Sequence, residues 1–165
     1  MDIALLILRL TVGLLMAGHG AQKFFGWFGG HGLKGVAGWL HSAGFRPAGT
    51  WAVLAGLTEF AGGVLFALGL FSPLGTLGIG ASMLIAISKF HWPKVWVTEG
   101  GFEYALVNLA VAAAVGIAGP GVFSLDGVYG TALPQGALPV GAALVILGWL
   151  LALASSRTPV AAKET

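Results

Sequence analysis

Residues 3–25 read IALLILRLTVGLLMAGHGAQKFF, an apolar run of 23 residues interrupted by Arg9, His19, Gln22 and Lys23. At ~1.5 Å of rise per residue such a helix spans the ~30 Å hydrocarbon core of a bilayer. The rest of the chain agrees with a lipid environment. Of the 165 residues, 57% are hydrophobic and 8% charged, with a mean hydropathy of +0.91. A soluble domain carries roughly a quarter of its residues charged. This chain cannot cover its surface with polar groups, so lipid must cover it. The start, MDIALL, is acidic and Arg9 lies inside the run, which reads as a retained helix rather than a cleaved signal. The net charge of +2 is small and scattered, which excludes a nucleic-acid face. The chain has no cysteine, so it makes no disulfide and does no thiol chemistry of its own.

Four further apolar segments follow, at about 50–71, 74–91, 102–119 and 137–154. The expected architecture is therefore all-α, a polytopic membrane helix bundle in a single transmembrane domain, 1–155, with a short polar tail, 156–165. Five spans place Lys23, Lys34, Arg46, Lys89, Lys94, Arg157 and Lys163 on one side, with Asp2 and Asp126 on the other. Basic residues favour the cytoplasmic side. The N-terminus is then outside and the C-terminus cytoplasmic. Within the first loop, His31 to Ala43 puts Val36, Trp39, Leu40 and Ala43 on one stripe, the pattern of a short interfacial helix.

Glycine is abundant, at 28 residues. In lipid, small residues let helix backbones approach closely. The spacings Gly13/Ala17, Ala52/Gly56 and Gly78/Ser82 predict tight packing within one bundle, and the same pattern also serves a homo-oligomer.

Ionisable groups inside a span usually face the bundle interior or a partner. Arg9 lies ~9 Å below the outer edge and Glu59 ~12 Å from the inner edge, so their heights differ by ~9 Å. Two long side chains bridge that gap, and a buried Arg9–Glu59 pair is expected. His19, Lys23, His91, Glu103 and Tyr104 instead gather near the inner ends of the first, third and fourth spans, where they predict a polar pocket. The alternative is that the lysine anchors the interface and the histidines pack. No metal site is expected: Glu59 is followed three residues later by Gly62, and Glu103 by Leu106, so the Glu-x-x-His pattern of di-iron bundles is missing.

Four stretches together carry a family resemblance: LRLTVGLLMAGHGAQKFFGWFGGHGL (8–33), LAGLTEFAGG (54–63), HWPKVWVTEGGFEYAL (91–106) and GPGVFSLD (119–126). Over about residues 5–127 the chain resembles the DoxX family of small bacterial membrane proteins. Arg9, His19, Gly20, Lys23, Glu59, His91, Glu103 and Tyr104 fall on that family's recurrent polar positions. The family often has an aromatic hydroxyl where Phe102 stands and Arg-Tyr where Val122-Phe123 stand. It is usually four-helical, so 137–154 is an added fifth helix. The resemblance implies the bacterial cell membrane and a redox setting in oxidative-stress or sulfur metabolism. Relatives act beside a superoxide dismutase and a sulfurtransferase, or belong to a thiosulfate:quinone oxidoreductase. A bound quinone is the implied cofactor. His19, His91 or Tyr104 would bond its carbonyls, and Lys23 or Glu103 would supply a proton. An enzyme on its own is not implied, because the chain shows no electron carrier. The rival readings are a scaffold or chaperone for partner proteins and, with less support, a small transporter.

Overall fold

The computed structural model describes residues 1–134 and 136–156. Arg157 and Lys163, which enter the charge count above, lie outside the described residues. Seven α-helices follow one another among the described residues: α1 Asp2–Phe25, α2 Gly32–Ser42, α3 Ala48–Leu68, α4 from Leu74, α5 Glu103–Ala118, α6 Leu125–Tyr129 and α7 Ala137–Ser155. The all-α membrane bundle expected from hydropathy is the architecture found. Among the described residues four helices are long and apolar enough to cross a membrane: α1, α3, α4 through His91, and α7. The apolar helix α5 is shorter, at 16 residues, which is ~24 Å of rise.

The helix ends follow from local chemistry. Gly26 stops α1 and Gly69 stops α3, both with φ in the left-handed region, at +71° and +60°. Prolines 47 and 73 stand just before α3 and α4, where a missing N–H costs nothing. Ser124 caps α6, its hydroxyl accepting from Gly127 N at 2.9 Å. The α4 helix is α-helical to Ile85 and ends in a π-helical turn, Ala86–His91. Its last bond runs from Trp92 N to Ile87 O, 2.9 Å. The extra residue rotates Ser88, Lys89 and His91 away from the directions a regular helix would set.

Close backbone approach organises the bundle. The antiparallel pair α1/α3 is the most extensive contact. It matches Gly13 with Ala67, Ala17 with Gly63, Gly20 with Phe60 and Phe24 with Gly56, a single unbroken register. A Cβ on Gly13 would stand 2.6 Å from Ala67 N, so only glycine permits this distance. The small-residue spacing seen in the sequence thus serves packing within one chain. Helix α4 packs on α3 through Gly78 against Gly62, and also touches α5 and α7. Met16, Phe66, Ile79, Met83 and Val115 fill the centre. At the end of the bundle that holds the last turn of α1, a second cluster joins Val36, Leu40, Phe45, Ala52 and Ala152. The short helix expected in the first loop is α2; it buries Val36 and Leu40 and leaves Trp39 half exposed, its ring tilted against Phe90 at 4.3 Å.

Candidate functional site

Polar side chains collect at the two ends of the bundle. The cluster at the N-terminal end of α1 is built on Arg9, which is 1% exposed. Its Nη2 donates to Phe123 O at 2.5 Å. The guanidinium lies against Gly69, where a Cβ would collide with it. Asp126 is the charge whose field reaches Arg9. Both Asp126 oxygens are used: they accept from Phe71 N at 2.8 Å, Ser72 N at 2.7 Å and Thr131 Oγ1 at 2.7 Å. Burial pushes the Asp126 carboxyl up, but the bonds from Thr131, Ser72 and Phe71 outweigh it and hold the group below its ordinary value. This cluster ties the α3–α4 turn to the α5–α6 loop and to α1. The Asp126 acceptors are spent on the chain itself, whereas Arg9 Nε and Nη1 are buried with no hydrogen-bond partner among the described residues.

The expected Arg9–Glu59 pair is not formed. The α1/α3 register sets Arg9 level with Phe71 and Glu59 level with Ala21. Those levels are a dozen helical steps apart on α1, ~18 Å. The two spans are not aligned at their ends. Helix α1 overshoots the C-terminal end of α3 and packs there on the loop after α5, where Gly121 meets Leu5.

Glu59 pairs instead with Lys23. This is the one salt bridge among the described residues. Ser82 Oγ donates to the other carboxylate oxygen, Oε1, at 2.5 Å. The Glu59 side chain is 7% exposed and that of Lys23 is 24%. Three helices thus converge on one carboxylate: α1 through Lys23, α3 through Glu59 itself, α4 through Ser82. Lys23 stands in the last turn of α1, and its four-carbon stem carries the ammonium to the carboxylate. Leaving either charge unpaired there would be costly.

The pair forms part of the lining of a cavity of about 240 Å³. Ser82 and His91 line it too, and Trp39, Phe45 and Trp51 supply flat walls. Phe45 and Trp51 meet edge to face, with centroids 6.0 Å apart. His91 Nδ1 is 2.7 Å from Gly100 O. A carbonyl only accepts, so Nδ1 carries the proton and Nε2 is left for another group. The arrangement offers a flat, apolar slot with an ammonium, a carboxylate, a hydroxyl and an imidazole on its lining.

Of the five residues expected to share a pocket, Lys23 and His91 line this cavity. His19 and Tyr104 pair with each other across the α1–α5 seam, Nε2 to OH at 3.3 Å and rings edge to face at 5.8 Å. Glu103 belongs to a loop: its Oε1 accepts from Val97 N at 2.8 Å, and its own N–H reaches Val95 O at 2.9 Å. Ser82 was read from the sequence as a small packing residue only. Its neighbour in space, Glu59, is what makes its hydroxyl matter. Asn108 was passed over as well. It is buried on α5, and its amide donates to Tyr104 O at 3.0 Å. A lone amide inside an apolar span was the available signal.

A family model described as DoxX matches residues 4–92. The matched segment contains Arg9, His19, Lys23, Glu59, Ser82 and His91, and ends before Glu103 and Tyr104. No curated protein and no solved structure matches the chain.

Proposed function

The chain belongs to the DoxX family, and from that premise we propose that this multi-pass membrane protein is the membrane subunit of a redox system, binding a quinone or holding soluble oxidoreductases at the bilayer. The observation that supports the quinone reading is the Lys23–Glu59–Ser82 set on the lining of an aromatic-walled cavity at the inner end of the bundle. The residues fit such a group. Trp39, Phe45 and Trp51 would hold a flat ring. Lys23 would donate to one ring oxygen, and His91 Nε2, an acceptor while Nδ1 carries the proton, would take a bond from a hydroxyl of the reduced ring. A bound quinone would supply the capacity to take electrons and protons. The chain's own part is to hold the ring, keep out water and keep a proton at Lys23 or Glu59. Glu103, used by its loop, is replaced in that role by Glu59. Electrons come from a partner protein. A superoxide dismutase and a sulfurtransferase are the partners implied by the family resemblance.

The test is the organic extract of the protein purified in mild detergent, analysed by mass spectrometry. The reading expects a quinone near one per chain, depleted at least ten-fold in Glu59→Leu with Lys23→Leu. A quinone-free extract with a stoichiometric protein partner removes it and favours the scaffold. One feature favours that second reading: the hydrogen-bonded loop 92–102 exposes Val95, Trp96 and Val97 in a row, a ready contact face.

We further propose five spans in the bacterial cell membrane, N-terminus outside and C-terminus cytoplasmic. Lys23, Lys34, Arg46, Lys89 and Lys94 lie at the α1–α3 and α4–α5 connections, which supports that orientation. A periplasm-dependent reporter fused after Lys163 is expected to be silent. Activity there means four spans or the inverted orientation.

A further inference from the structure

Helix α7 lies outside the segment that the family model matches. It has the highest mean hydropathy of the long helices, 2.3, and just 6% of its span is buried. Its outer half packs on α4, with Gly141 against the Leu77 side chain. Its inner end is held differently. Trp149 Nε1 donates to Ser88 Oγ at 2.9 Å. Ala152, 1% exposed, is packed in the cluster of Val36, Leu40, Phe45 and Ala52. Ser156 forms an antiparallel bridge with Phe45, and its carbonyl accepts from Lys89 Nζ at 3.4 Å. The same ammonium sits 5.9 Å above the Phe45 ring.

These attachments converge on the wall of the cavity. Phe45 and Leu40 line it directly, and Ile85 and Ala86 line it where the π-helical turn begins. Ser88 and Lys89 belong to that turn, whose extra residue aims them at α7. We propose that the inner end of α7 is a clamp that holds Phe45 and α2 against the cavity, so that this helix controls access to the Lys23–Glu59 pair. The proposal rests on the preceding reading only in taking this cavity as the working site; it does not depend on the ligand being a quinone. Acyl chains solvate the outer half of α7 as well as a neighbouring helix does, whereas the inner end is fixed by directed bonds to Ser88, Phe45 and Lys89 of the chain itself.

The absence of cysteine makes the test direct. Ala55→Cys puts a single thiol on the cavity wall, and its maleimide labelling rate in detergent reads access. Adding Ser88→Ala, or Ala152→Leu to lift the inner end, is expected to raise that rate about five-fold, the opening shift that loss of one ordinary hydrogen bond produces. Ser88→Thr, which keeps the acceptor, restores the slow rate. Gly141→Leu, which disturbs only the outer half, leaves it unchanged. Equal rates in Ser88→Ala, Ala152→Leu and the Ala55→Cys parent overturn the clamp, and so does an equal rise in Gly141→Leu. A benzoquinone bearing a decyl chain is the probe for the other reading. If it fails to protect the thiol while the α7 variants still accelerate labelling, the quinone reading falls and the clamp stands.

Discussion

Lys23→Gln lowers the stability of the detergent-solubilised protein by about 3 kcal/mol, the lower end of what breaking a buried pair costs. It leaves the Glu59 carboxylate, 7% exposed, with Ser82 as its remaining partner. Glu59→Gln costs less, about 1 kcal/mol, because the Lys23 ammonium is a quarter exposed and reaches water on its flexible stem. Changing both together recovers part of the larger loss, since no charge is then stranded. Thermal or chemical unfolding of the four proteins measures the coupling. Strictly additive losses would show that the two groups do not interact. The companion cycle, Arg9→Gln with Glu59→Gln, is expected to be additive within about 0.5 kcal/mol, as for distant sites. Strong coupling there would mean that the α1/α3 register is wrong.

The second large effect comes from two glycines two residues apart on α1. A Cβ on Gly20 would fall on the backbone of Phe60, whereas Gly18 has nothing within 4 Å. Gly20→Ala therefore forces α1 and α3 apart along their main contact, a loss of about 3 kcal/mol, as for other overpacked interiors. Gly18→Ala gains up to about 1 kcal/mol from helix propensity alone. The melting temperatures of the two variants should move in opposite directions. A neutral Gly20→Ala would falsify the close approach of the two backbones at this level.

Much of the fold was legible along the chain because a bilayer applies a simple local criterion. A run such as 3–25 or 137–154 must be helical and must cross or lie in lipid, since no water is present there to satisfy its backbone. Helix ends were legible at Gly119, Pro93 and the Phe71-Ser72-Pro73 connection, for the same local reasons. The amphipathic stripe of the first loop gave α2. The π-helical turn was not legible: residues 86–91, AISKFH, carry no pattern that distinguishes it from α-helix.

The candidate site divides in the same way. Composition and depth singled out Arg9, His19, Lys23, Glu59 and His91, because a charge or imidazole in an apolar span stands out one residue at a time. Which of them meet was decided by the tertiary structure. Glu59 faces Lys23 and not Arg9 because Gly13, Ala17, Gly20, Gly56, Gly63 and Ala67 interlock in one register. That register slides every polar group on α1 relative to α3. Ser82 matters only because Gly78 and Gly62 bring α4 against α3. Hydropathy is a property of a segment, and the sequence alone determined that this protein is a helical membrane bundle with charges buried in it. Partnership is a property of two segments at a fixed offset, and backbone contact between small residues sets that offset only once the helices have packed.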